Sequence, residues 1–272
     1  MTKETHKQAD ESVLGVESIE KIPKTIFELV DVNREAEVLA HFMQGDRWVS
    51  VFEKRYPELR GIQESCQGQD GCVDKYRDFL IKIHDQEGPK LVEALQQIRI
   101  EWEKISAIFL GTLATHFGTK WLVDKNIIGY VSVLPVHPRF LEEQAFFTGY
   151  RDISTNIETI AHEIVHFLWF KKWSEVFPEM SSKEFQSPHL VWRLSEIIDP
   201  IILQCHPQIS ELIKPKKWGY NSFKDIKIGD APMTDYFKKI YLDSVGAGDD
   251  FGVTMKKLWE EAKKHEKEIS GF

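Results

Sequence analysis

Apolar residues recur every three or four positions through much of the first half of the chain, which is the spacing of amphipathic helices. The pattern is present at 38–42, 48–52 and 74–84, and it is longest at 89–117. The longest run begins after one glycine and ends before another, as helix starts and stops often do. Residues 21–125 are therefore predicted to form a helical N-terminal region.

The pattern becomes strand-like in the middle of the chain. Residues 127–134 and 144–150 are short, rich in β-branched or aromatic side chains, and separated by prolines. These properties predict two neighbouring strands rather than a helix.

Helical spacing returns after the second strand. One helix is predicted from a cap at Asp152 or Ser154 to about residue 173, and another over 187–199, where Ser187-Pro188 is a typical helix start. The expected fold class is α+β and mostly helical, with a small sheet before the first of these helices. Residues 126–272 would form the second region of one continuous fold.

The composition argues against two kinds of binding partner, nucleic acids and membranes. The chain has 272 residues and a formal net charge of −8, without a Lys/Arg block, which argues against binding nucleic acid through its phosphates. The longest weakly polar stretch, 105–117, is shorter than the about 20 residues of a membrane span. Residues 1–20 are polar and are expected to form a disordered tail, neither a secretory signal nor a lipidation site.

The cysteines suggest a compartment. Cys66, Cys72 and Cys205 are odd in number and too few for a disulfide framework, which favours a reducing environment and a cytoplasmic location.

The segment with the most specific chemistry is His162-Glu163-Ile-Val-His166, within the first of the two later helices. Residues four apart lie on one face of a helix, so the two imidazoles can share one metal ion. Glu163 stands beside them, where its carboxylate can act on a metal-activated water. The flanking apolar residues predict that the helix is buried and that these polar groups face a dry cleft.

This segment resembles the extended signature of zinc metallopeptidases, with Thr159 three positions before the first histidine and uncharged residues at the other flanking sites. The resemblance implies a zincin-like catalytic region over 126–272, a Zn2+ cofactor, and hydrolysis of peptide bonds in a peptide or protein substrate. Glu163 would be the general base.

A catalytic zinc site needs a third protein ligand. Glu196 is an acid on the otherwise core-like second helix, thirty residues after His166. A downstream glutamate is the third ligand in the gluzincin branch of the metallopeptidases, which this arrangement resembles. The metal ligands are therefore predicted to be His162, His166 and Glu196.

Three other residues compete for that third position: Glu184, His189 and Asp199. Glu184 is in a connection that is expected to be exposed, and His189 is near the helix start. Asp199 is expected to orient a metal-bound histidine instead, as a carboxylate beyond the glutamate often does in gluzincins. It could equally cap the helix end or pair with a surface lysine.

Two further roles are suggested by the zincin resemblance. The strand at 145–150 would be an edge strand beside the cleft, able to pair with an extended peptide. An oxyanion donor is also needed, and spacing does not choose among its candidates, which are Tyr150, His206, Tyr220, Tyr236 and Tyr241.

The main functional hypothesis is a zinc-dependent metallopeptidase. A deformylase-type site would use an upstream Gly-Cys, for which only Gly71-Cys72 is available, in a segment with a different pattern. One alternative is a catalytically silent peptidase-like zinc protein that binds a partner or acts as a sensor. Another is an incidental motif in a helical scaffold. The oligomeric state stays open.

Overall fold

The computed structural model describes residues 22–66, 72–122, 124–216, 219–220, 223 and 225–271. The tail predicted at 1–20 lies outside these residues. Within them the chain is mostly helical and carries a small mixed sheet, which confirms the α+β class.

The N-terminal part contains five described helices: α1 (Val32–Met43), α2 (Asp46–Arg55), α3 (Leu59–Glu64), α4 (Cys72–Glu103) and α5 (Ser106–Phe117). The predicted break before Pro89 is wrong, because α4 runs through this proline and the chain instead breaks between α4 and α5. Leu80 and Leu91 are buried on either side of the proline. Packing of one continuous apolar face thus outweighs the hydrogen bond that proline removes.

The main sheet has four described strands, in the order β1-β2-β4-β3. They are β1 (Thr25–Leu29), β2 (Ile127–Val131), β3 (Arg139–Phe140) and β4 (Ala145–Thr148). The first, second and fourth are parallel, and β3 runs antiparallel to β4. The two predicted strands are confirmed with shorter bounds.

Strand β1 is a departure from the helical pattern predicted for 21–125. It pairs with β2 along its whole length, from Thr25 opposite Ile127 to Leu29 opposite Val131. Only Phe27 in this strand is buried, so β1 lacks the regular alternation that identifies strands in a sequence. The sheet consequently joins the two predicted regions.

The C-terminal part is built from the helices α6 (Ile153–Val176), α7 (Leu190–Cys205), α8 (Pro207–Ile213), α9 (Met233–Gly246), α10 (Phe251–Lys264) and α11 (Glu266–Ile269), with a hairpin of β5 (Lys227–Ile228) and β6 (Ala231–Pro232) before α9.

Two boundaries of the later helices correct the sequence analysis. Helix α7 begins at Leu190 rather than at residue 187, and it continues through Pro200 to Cys205. Ile201 and Ile202 are fully buried, which explains why the helix continues beyond the proline. The cap of α6 is Asp152, whose carboxylate accepts from the Thr155 backbone N–H at 2.9 Å.

Helix α6 lies at the centre of the molecule and packs against α4, α5, α7 and α10. Ile160, Ala161, Ile164 and Val165 are all fully buried, as the apolar flanks of the histidine motif predict. The polar residues of the histidine motif contact α7 and Arg139 of β3. The fold therefore fixes the orientation of the histidine face.

Candidate metal centre

The two histidines of α6 converge on one point. Their Nε2 atoms are 3.1 Å apart, and their rings are nearly perpendicular, with an interplanar angle of 83°. The side chain of His166 is fully buried, while that of His162 is 21% exposed. The pair is thus open to solvent on the His162 side.

Glu196 of α7 completes the cluster. Its Oε2 lies 3.3 Å from Nε2 of His162, and its Oε1 lies 3.4 Å from Nε2 of His166. Two ligands held at about 2.0–2.1 Å from a tetrahedral zinc are about 3.3–3.4 Å apart, which is close to the separation of each imidazole from its nearer Glu196 oxygen. His162, His166 and Glu196 could therefore hold a metal ion, as the sequence predicts.

Two of the three other candidates for the third ligand, His189 and Glu184, lie outside the cluster. Nδ1 of His189 is 3.4 Å from Oε2 of Glu184, so these residues pair with each other. Both side chains are more than a third exposed. Neither belongs to the cluster of potential metal ligands among the described residues.

Asp199 contacts a histidine of the cluster from behind. Its Oδ2 is 2.6 Å from Nδ1 of His166, and both side chains are fully buried. Of the positions expected for Asp199, the structure shows the one beside a histidine of the cluster. Burial raises the pKa of Asp199 well above its usual value and lowers that of His166 well below its own.

Glu163 lies beside the three potential metal ligands. It is 5% exposed, and its Oε2 has no hydrogen-bond partner among the described residues. Burial raises its pKa to about 7, although the charges of His162 and Arg139 oppose this. A carboxyl group with a pKa near neutrality can both take up and release a proton.

The charges of the cluster are coupled. Burial disfavours a charged His162, but the hydrogen bond and charge of Glu196 outweigh burial and raise its pKa to about 9. For Glu196, burial acts to raise the pKa, while His162 and Arg139 together lower it. Without a metal ion, the site is therefore held together by a protonated imidazole paired with a carboxylate.

Arg139 is a site residue that the sequence analysis missed. It lies on β3, and its Nη1 donates to Oε1 of Glu196 at 3.1 Å and is 3.7 Å from Oε2 of Glu163. Its Cζ lies 5.2 Å from the ring centre of Phe170. Arg139 belongs to no periodic pattern in the sequence, because it lies in a short connection that contains prolines. The only signal available from the sequence would have been a charged residue at an unusual position.

The predicted edge strand is not at the edge. Ala145 and Phe146 pair with β3, and the Phe147 N–H donates to the Pro138 carbonyl at 2.9 Å, so this side of β4 is occupied by the chain itself. The expectation that 145–150 offers a free edge to a peptide is wrong. The two residues of β3, which cover this edge, are too few to form a pattern from which a strand can be predicted. The edge on this side is β3.

Four of the five candidate oxyanion donors contact residues outside the candidate metal centre. Tyr150 accepts from Arg55 at 3.0 Å, and Tyr236 donates to Glu261. Tyr241 hydrogen-bonds to His116, whose ring also packs on His206, and Tyr220 packs on Phe223. The oxyanion role thus stays unassigned among them.

Cys66 and Cys72 form a disulfide, a bridge that the small and odd number of cysteines did not predict. An odd total excludes a fully paired framework but not a single bridge between neighbours in sequence. Cys72 is therefore not available as a deformylase-type ligand, and Cys205 is a free thiol.

Comparisons with known proteins add no family to this description. No protein-family model matches the chain, and the searches of curated proteins and of solved structures found no significant match. Among the described helices, none combines the length and the apolar character that crossing a membrane requires.

Proposed function

We propose that the protein is a zinc-dependent metallopeptidase. The observation that carries this proposal is the convergence of His162, His166 and Glu196 at ligand separations, with the unbonded Oε2 of Glu163 beside them. Two histidines and a glutamate are the protein ligands of one common type of catalytic zinc site, which keeps its fourth position for water or substrate.

The residues divide the chemistry among them. A zinc ion at this site supplies a Lewis acid that polarises the scissile carbonyl and lowers the pKa of water toward neutrality. Glu163 accepts the proton of the attacking water and delivers it to the leaving amine. Oδ2 of Asp199 lies 2.6 Å from Nδ1 of His166, where a carboxylate would favour the tautomer that leaves the Nε2 lone pair for a metal ion.

The surroundings suit this chemistry. Glu163 and Glu196 are each 5% exposed, and His166 is fully buried, so water reaches the ligands mainly from the side of His162. Exclusion of bulk water strengthens the electrostatic stabilisation of the transition state.

Metal analysis combined with peptide cleavage tests the proposal. The purified protein is expected to bind one equivalent of zinc and to cleave members of a peptide library, detected by mass spectrometry. The matched control is Glu163→Gln, which keeps every ligand and should retain zinc while losing about 100- to 10,000-fold in turnover.

The alternatives give different results. Stoichiometric zinc without any cleavage would favour the silent, partner-binding protein. No zinc uptake would identify the motif as incidental. Equal cleavage by the wild type and Glu163→Gln would contradict the assigned base.

A further inference from the structure

Arg139 uses only one of its nitrogens in the candidate metal centre. Nη1 donates to Glu196 and lies close to Glu163. In the part of the chain that the structure describes, no residue accepts a hydrogen bond from Nε or Nη2. One edge of the guanidinium thus contacts the carboxylates of the site, and the other edge has N–H groups left to donate.

The guanidinium is buried and held in position. Its side chain is 10% exposed, and the Phe170 ring packs against its face. Its backbone is fixed by the pairing of Arg139 with Phe146 on β4. Among the described residues, Nε and Nη2 of Arg139 have no acceptor and are not fully shielded from solvent, so a group that enters from outside the protein can accept hydrogen bonds from this edge.

A carboxylate is the acceptor that matches this edge best. It is planar, carries a negative charge, and accepts two parallel hydrogen bonds from an arginine fork. Since the same guanidinium contacts Glu163 and Glu196, the acceptor would lie close to the reacting bond. An extended residue spans about 3.3–3.6 Å, so the carboxylate belongs to the substrate within about two residues of that bond.

We propose that Arg139 binds a carboxylate of the peptide substrate beside the scissile bond. This inference rests on the proposed function and specifies its substrate class. The carboxylate has two possible sources, the C-terminus of the peptide and an Asp or Glu side chain. The first source describes a peptidase that removes residues from the C-terminal end, and the second describes one that cleaves next to acidic residues.

Binding of three short probes tests the proposal without relying on turnover. The probes are N-acetyl-Ala-Ala with a free carboxylate, its C-terminal amide, and N-acetyl-Ala-Asp as the amide. Calorimetry on the zinc-loaded wild type should show one carboxylate probe binding about tenfold or more tightly than the uncharged amide. The tighter of the two charged probes identifies the source, and equal binding of all three overturns the proposal.

Variants assign the effect to Arg139. Arg139→Gln is expected to lose the preference for a carboxylate, and Arg139→Lys to retain part of it because the charge remains. Arg34→Gln is the matched control, since Arg34 lies over the neighbouring Phe140 ring at 4.2 Å and pairs with Glu143 instead. The zinc content of every variant is measured as well, so that loss of metal is not mistaken for loss of the anion site.

The outcomes separate this inference from the proposed function. A preference that persists in Arg139→Gln means that the metal itself binds the carboxylate, and the role of Arg139 is then overturned. Selective binding through Arg139 without cleavage of any peptide would overturn the hydrolase and leave the anion site standing. Cleavage with the same kcat/KM for acid and amide substrates, and with equal probe binding, would overturn only the role of Arg139.

Discussion

Asp199 Oδ2 lies 2.6 Å from Nδ1 of His166, and neither side chain has any exposed surface. The carboxyl group of Asp199 thus lies on the Nδ1 side of the ring, while Nε2 of His166 faces Glu196 and His162. Carboxylates in such positions fix the tautomer of a ligating histidine and increase its basicity.

Replacing this carboxylate should weaken zinc binding without removing a ligand. Asp199→Asn is expected to lower the zinc affinity about 10- to 100-fold, because an amide cannot supply the negative charge that a carboxylate would place beside Nδ1 of a metal-bound His166. Competition with a chelator measures the change. Asp243→Asn, at an exposed position paired with Lys239, is the control and should bind zinc normally. Wild-type affinity in Asp199→Asn would contradict the orienting role.

Removing the third ligand should have a larger effect. Glu196→Ala is expected to lose more affinity than the about 10- to 100-fold assigned to an outer partner, since a ligand itself is gone. Elemental analysis after dialysis reports the zinc content. Glu184→Ala is the control, because Glu184 pairs with His189 outside the cluster. Full zinc content in Glu196→Ala would show that this glutamate is not a ligand.

Zinc binding should release protons, with a clear dependence on pH. The pKa of His162 is about 9 without metal, because Glu196 and the neighbouring carboxylates outweigh the effect of burial. At pH 8 the metal-free imidazole is thus mostly protonated, while Glu163, with a pKa of about 7, is mostly ionised. Since zinc binds only the neutral ring, about one proton should be released per ion.

Calorimetry in buffers of different ionisation enthalpy counts these protons. The apparent zinc affinity should also rise with pH up to about 9, because less work is needed to deprotonate His162. Zinc uptake at pH 8 without proton release would contradict the protonated imidazole.

A second buried carboxylate, that of Glu35, should make the free energy of unfolding depend on pH. Glu35 is fully buried and accepts from Ser132 Oγ and from the Val133 N–H, and it contacts His84 Nε2. The hydrogen bond that His84 donates to Glu35 raises the pKa of His84 above its usual 6.5, against the effect of burial. The resulting stabilisation is therefore complete below about pH 6.5 and is lost as the pH rises through the folded-state pKa.

His84→Gln should remove this pH-dependent contribution. The expected loss in the free energy of unfolding is about 1–3 kcal/mol at pH 5.5 and less at pH 8.5, as for a hydrogen bond to a charged group. Urea denaturation of the wild type and of His84→Gln at the two pH values measures this loss. Subtracting one free energy of unfolding from the other at each pH cancels the titration of other groups. A loss of the same size at both pH values would contradict the charged pair.

The periodicity of the sequence was enough to predict the part of the candidate site that lies on α6. Positions 162, 163 and 166 lie on one buried helix whatever the rest of the fold does, because residues four apart share a face. The position of Glu196 on a core-like helix was predictable for the same reason. That its carboxylate meets both imidazoles was an expectation from resemblance until the packing of α6 against α7 was known.

Tertiary structure alone decided the remaining features. Arg139 reaches Glu196 across 57 positions of sequence, from a strand of two residues that carries no periodic signal. The pairing of β1 with β2 and the covering of β4 by β3 likewise depend on contacts between distant segments. A sequence pattern reports which face of an element is apolar, but the charges that meet in a buried site are set by how those elements pack.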